Sequence, residues 1–358
     1  MRGRAARPII AMIALCLLTV ACGDGGGSEA PRPWPTEFPE NAEDGRHIDP
    51  ASTELQTFYE GWYHKVAIPE TGEAFFFIYT VLQDHAFLYC GRQSTLETVY
   101  QAFPVTAYSA AEGYRDARIG EHARTTALRF AGQAEQDGNT CAWDIDLEGG
   151  AAWTETMGWM TGSEGLETSW TVGTIRARAS GWVRFDQGET VRFDDAVGYS
   201  DHNWGTIFPR NWTWMQAASF PGSDAALSAS GGTVPFGGQE MQAMMVGLRL
   251  DGAMTTFRSQ DLDLMEWTAD KGAWTISGSR DLERIQIDAR CDPETMFHLL
   301  VPTDQGMQPH AWESLIGTID VLLERRETVD AAWQVAFQAT SAQAGVELGE
   351  GITVGFPP

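Results

Sequence analysis

Basic residues are scarce in this chain of 358 residues: 24 lysines and arginines stand against 49 aspartates and glutamates, a formal net charge of −25. Such a surface repels nucleic acid and anionic head groups, so no nucleic-acid partner is expected. Cysteine is scarce as well, with five residues and no Cys-x-x-Cys. No metal-ligand spacing is present, and no metal is expected. The most apolar run, residues 9–21, falls short of the ~20 residues that span a bilayer. Helical periodicity is rare and no internal repeat is evident. Those two absences argue against a helical bundle or a solenoid.

What the chain has in quantity is tryptophan, 14 residues spread along its length, and a hydrophobic content of 43%, enough for a sizeable core. The N-terminus carries its own signal. "MRGRAARP" is basic, "IIAMIALCLLTVA" is a short apolar run, and "LTVAC" puts a small residue directly before Cys22. This is the pattern of a lipoprotein signal peptide (residues 1–21), with Cys22 as the lipidated residue. The expected location is therefore the bacterial cell envelope, with a membrane contact through the N-terminal lipid. Loss of Arg2, Arg4 and Arg7 would leave 21 basic against 49 acidic groups, a net of −28. Residues 22–50 are rich in Gly, Pro and Glu and read as a flexible tether. Cys90, Cys141 and Cys291 remain in the body. Export permits at most one disulfide, and Cys90–Cys141 is the expected pair because both follow strand-like runs in the same half.

The body reads as β. "EAFFFIYTVL" (73–82) fits a central strand, and segments such as 125–132, 142–149, 173–201, 241–250 and 274–291 alternate apolar and polar residues between Gly, Asp or Asn. "DQG" (186–188) and "DG" (251–252) look like hairpin turns. Residues 310–326 fit a helix or a strand equally. The expectation is an all-β chain of two lobes, 51–205 and 206–358.

One stretch stands out: "GYSDHNWGTIFPRNWTWMQA" (198–217) holds Trp204, Trp212 and Trp214 beside Asp201, His202 and Asn203. It reads either as a strand-to-turn corner whose Asp and Asn bond local backbone, or as a cavity wall carrying an acid. In an extended run, Asp201 and Asn203 share one face and His202 takes the other.

The segments "FYEGWYHKVAIPETGEAFFFIYTV" (58–81), "NWGTIFPRNWTWMQA" (203–217), "VPTDQG" (301–306) and "ATSAQAGVELG" (339–349) follow one another in an order and spacing that resembles the tocopherol cyclase family. The resemblance implies lipocalin-like paired β-barrels around an apolar cavity. It also implies an isomerase that closes a chromanol-type ring on a prenylated quinol. Such a reaction moves no electrons and calls for no redox cofactor. It needs an acid that keeps its proton, electron-rich faces near a carbocation, and exclusion of water.

Asp201 is the first choice for the acid, with His202 as its hydrogen-bond partner or as base, and Glu60 in "YEGWYHK" as the next acid. Trp62, Tyr63, Tyr79, Asn203, Trp204, Trp212, Trp214 and Gln216 form the expected substrate-binding set. Glu266 joins it as a carboxylate set among apolar residues. The competing function is a lipocalin-like module that holds a prenyl lipid or quinone without turnover. A buried acid that keeps its proton discriminates the two, because a binder needs none. A carbohydrate enzyme or binder is a third reading, since tryptophans also stack on sugars, but such an enzyme needs two facing carboxylates that no pattern here requires.

Overall fold

The computed structural model describes residues 32–39, 41–50, 58–163, 165–186, 188–206 and 208–350. The signal segment and Cys22 lie outside the described residues. Residues 1–34 and residues 35–358 form two separate units, the second of which holds the strands.

That unit is built from strands. β1 (Tyr59–Ile68), β2 (Glu73–Leu82), β3 (His85–Arg92) and β4 (Glu97–Pro104) form a meander. β5 (Tyr108–Ala110), β6 (Asp116–Ile119), β7 (Ala123–Thr126) and β8 (Arg129–Gln136) are shorter, and β9 (Asn139–Trp153), β10 (Thr168–Phe185) and β11 (Val191–Gly205) are long. Together they make one antiparallel sheet in the order β4-β3-β2-β1-β11-β10-β9-β8-β7-β6-β5. The sheet curls until it nearly closes. Gln136 Oε1 accepts from Tyr100 N and Gln101 Oε1 from Glu135 N, at 2.9 and 2.8 Å, which ties β4 to β8.

The second sheet begins with β12 (Asn211–Ala217), β13 (Ala226–Phe236), β14 (Gln239–Leu250) and β15 (Ala253–Arg258). It continues through β16 (Leu264–Asp270), β17 (Ala273–Arg280) and β18 (Glu283–Arg290) to β19 (Phe297–Thr303), β20 (Gly306–Arg325) and β21 (Gln334–Gly349). Its order is β15-β14-β13-β12-β21-β20-β18-β17-β16, with β19 on β20. The only helical residues among those described are single 3-10 turns. Residues 310–326, ambiguous in the sequence, lie almost wholly within β20, held between β18 and β21. The "DG" turn joins β14 to β15 with φ of 51° at Asp251 and 81° at Gly252, which matches the right-handed twist of the strands it joins.

Each sheet wraps its own core, one around Phe75, Phe77, Phe130 and Trp143, the other around Val246, Phe257, Trp274 and Ile287. β2 shows why its sequence is a near-continuous apolar run. Phe75 and Phe77 face the first core, while Phe76 points the other way onto Phe297 of β19, with ring centroids 5.2 Å apart. A strand buried on both faces has no side for polar residues.

Two sequence expectations change here. Cys90 and Cys141 are buried free thiols, not a disulfide, and burial followed by each other's proximity pushes the Cys141 thiol well up. Residues 41–49, expected as part of a tether, instead pack against the first sheet. Asp44 there forms a buried ion pair with Arg115 at 2.6 Å and accepts Trp62 Nε1–H on its carbonyl at 3.2 Å.

Candidate active site between the two sheets

A cavity of about 150 Å³ lies where the two sheets face each other. β1 supplies Tyr59, Gly61 and Tyr63, β10 supplies Trp170, and β11 supplies Asp201 and Asn203. From the second sheet come Trp212 and Trp214 of β12, Leu299 and Val301 of β19, Glu313 of β20 and Glu347 of β21. Four methionines, Met157, Met160, Met245 and Met307, complete much of the wall. Their unbranched side chains repack around ligands of different shape.

Strand register explains the set. β1 and β11 pair Gly61 with Asn203 and Tyr63 with Asp201, so these four share one face. Gly61 is needed there because a Cβ would meet Thr80 Oγ1 at 2.4 Å. Across the cavity, Trp214 pairs with Glu347 and Glu347 with Glu313, a single row over three strands.

Three donors converge on one oxygen of Asp201. Its Oδ2 accepts from Tyr199 O–H at 2.9 Å, Trp214 Nε1–H at 3.0 Å and Trp170 Nε1–H at 3.1 Å. Oδ1 takes none of them. Burial raises the carboxyl and the three donors pull it back, which leaves it at about 6 rather than 3.8. This acid therefore keeps much of its proton at mildly acidic pH, while its conjugate base is already solvated by protein dipoles.

The other two carboxyls are also held above the usual range. Glu347 is raised to about 7 by burial, against a hydrogen bond from Trp212 Nε1–H. Burial and then Glu347 push Glu313 well up, against a 2.5 Å hydrogen bond from Tyr63 O–H. Lys65 sits behind them, donating to Gln343 O at 2.7 Å and Gln216 Oε1 at 3.2 Å, and burial lowers its ammonium to about 7. Among the described residues, no group of three or more His, Cys, Asp or Glu is placed to hold a metal ion.

A model of the tocopherol cyclase-like family matches residues 92–350. The chain belongs to that family. It is 24% identical to the chloroplastic tocopherol cyclase of Zea mays, a match covering 86% of this chain and 77% of that one. It is likewise 24% identical to a probable chloroplastic tocopherol cyclase of Oryza sativa subsp. japonica, covering 86% and 78%. Among solved structures, kievitone hydratase from Nectria haematococca superposes with a TM-score of 0.52 at 14% identity, covering 88% of this chain and 99% of that one. A putative AttH from Nitrosomonas europaea gives 0.51 at 13% identity, covering 90% and 100%. These neighbours establish the fold, and tocopherol cyclase-like membership supports a cyclase- or isomerase-type activity.

The residues of β1 and β11 singled out in the sequence divide between the two faces of that strand pair. Asp201, Asn203, Tyr63, Trp212 and Trp214 line the cavity. Glu60, Trp62, His202 and Trp204 lie on the opposite face, where the 41–49 segment covers them. Glu60 Oε1 accepts His47 N–H at 2.7 Å and pairs with His202 Nε2 at 3.0 Å, and its Oε2 accepts Ile48 N–H at 3.3 Å. The His202 ring stacks on Trp62 at 4.3 Å, and His47 on Trp204 at 3.8 Å. Tyr79 is in the first core, where its hydroxyl donates to Ala131 O and accepts from Trp143 Nε1–H. Gln216 is buried beside Lys65 and outside the cavity lining.

Glu266 is exposed on β16, because strand alternation turns Met265 and Trp267 toward the core and Glu266 away from it. The sequence reading missed Trp170, Tyr199, Lys65, Glu313 and Glu347. For Glu347 a signal existed: a lone carboxylate between small and apolar residues in "AGVELG".

Proposed function

We propose that the protein closes a chromanol-type ring on a prenylated quinol by protonating the tail's alkene, with Asp201 as the acid. The observation that carries this reading is the single buried oxygen of Asp201 that collects three donors inside an aromatic cavity. In the reaction the Asp201 O–H bond breaks and a C–H bond forms at the less substituted alkene carbon. A tertiary cation results. The ring hydroxyl oxygen closes onto it and gives up its own proton, so product and substrate are isomers. Developing negative charge on Asp201 meets donors already in place. Developing positive charge meets tryptophan, an attraction on the order of 2 kcal/mol when desolvated. A cavity of about 150 Å³ accepts one aromatic ring, and the methionine-rich wall accommodates the tail by repacking. A module that only binds lipid has no use for such an acid. At the cell level, we propose that lipidation at Cys22 holds the body at the envelope, close to prenyl lipids.

The test is incubation with a short-tailed prenylated hydroquinone in D2O, followed by mass analysis. Ring closure by alkene protonation leaves one non-exchangeable deuterium on the new ring's methylene. Failure to form chromanol, or chromanol without that deuterium, overturns the proposal.

A further inference from the structure

The donor half of the reaction is on the first sheet, and a group with matching chemistry faces it from the second. Glu313 is fully buried, at 0% exposure, yet lines the cavity. Its Oε1 accepts Tyr63 O–H, while its Oε2 is buried with no hydrogen-bond partner among the described residues. A buried carboxyl oxygen with no partner is costly, and native structures rarely leave one without a reason. Here the reason lies in what fills the cavity: the oxygen is placed for a hydroxyl that the protein does not itself supply.

We propose that Glu313 recognises the substrate's ring hydroxyl ortho to the prenyl tail through Oε2 and takes that hydroxyl's proton as the C–O bond forms. The inference rests on the prenylquinol reading above. Glu347 is the direct cross-strand partner of Glu313, and two carboxyls on one face at that spacing do not both ionise in a dry wall. The pair therefore holds at least one proton, and when one member is ionised it has room for a second. The groups facing it are Tyr63 and Lys65 from β1, Asp201 from β11 and Trp212 from β12. The Lys65 ammonium offsets the remaining negative charge, and Asp201 opposes it. Burial, the first cause acting on both glutamates, favours the protonated state that the pair reaches after turnover. The proton balance of the chemical step closes within the cavity. Asp201 loses one proton to carbon and the glutamate pair gains one from oxygen, so turnover takes up and releases no net proton, and exchange with water between turnovers resets both.

The test compares geranyl hydroquinone with the analogue in which hydrogen replaces the hydroxyl ortho to the tail. Binding is read by tryptophan fluorescence. Losing that hydroxyl should weaken binding to the unmodified protein by roughly 3- to 10-fold, the worth of one buried hydrogen bond. Glu313→Ala should bind the two compounds alike. Glu313→Gln keeps the shape and an acceptor oxygen, so quinol affinity should stay within about threefold while kcat falls roughly 100-fold. Equal affinity of the unmodified protein for both compounds overturns the assignment, even if Asp201 proves essential. So does full turnover by Glu313→Gln with its melting temperature unchanged. No binding of either compound refutes this assignment together with the prenylquinol reading.

Discussion

Replacing Asp201 by asparagine keeps the volume and an oxygen to accept from Tyr199, Trp170 and Trp214, and removes only the proton and the charge. Two consequences follow, of opposite sign. Turnover should fall by roughly 10²- to 10⁴-fold, the usual worth of a positioned general acid. Stability at neutral pH should rise. The Asp201 carboxyl titrates at about 6 in the fold against an ordinary 3.8. Its neutral form is thus favoured by folding. That contribution is complete below about 3.8 and is lost as pH climbs through about 6. At ~1.4 kcal/mol per pH unit, the loss comes to about 3 kcal/mol, and asparagine does not suffer it. At roughly 2 °C per kcal/mol for a domain of this size, the variant should gain about 6 °C in Tm over the unmodified protein between pH 4 and pH 8. Paired melts across that range and chromatography of the chromanol product are the assays. Parallel Tm curves would show that Asp201 is not a strained acid. Turnover within tenfold of the unmodified protein would show that it is not the donor.

Trp214→Phe removes one donor from Asp201 Oδ2, so the carboxyl should titrate higher and the fall of kcat at rising pH should move up by about one unit, as read from a pH–rate profile. His202→Ala removes a buried ring that bonds Glu60 Oε1 and stacks on Trp62, which should cost about 2 kcal/mol or more in urea unfolding. Its quinol affinity should stay unchanged, and a large loss of affinity would move the site to the other face of the sheet. Cys22→Ser should release the body from the membrane fraction, and unchanged fractionation would remove the anchoring proposal.

Period-two reasoning carried the sequence reading a long way. Alternation identified β strands along the chain and put Asp201 and Asn203 together with His202 opposite, as β11 has them. Composition could not say which face of that strand met a ligand, because both are aromatic and both are buried. The face of His202 and Glu60 is closed by residues 41–49, whose Gly- and Pro-rich approach reads as a tether until Asp44 finds Arg115. Glu266 stood among apolar neighbours, as a site acid would, but on a strand with an outer face such neighbours alternate away from it. Glu313 and Glu347 became visible only through register. They reach the Asp201 cavity by the pairing of β12 with β21 and of β21 with β20, and no local pattern encodes those partners.

In both sheets the first strand lies beside the last: β1 pairs with β11 and β12 with β21. Synthesis and export both deliver these partners N-terminal first and far apart in time. The first sheet can close on its own core while the second is still being made. The second cannot gain its central pair until β21 emerges, and loop closure of that length is slow. Glu347 rides on that late strand, so the cavity acquires its full set of acids only with the end of β21. A chain cut short before it would lack Glu347 and the strand that joins β12 to β20.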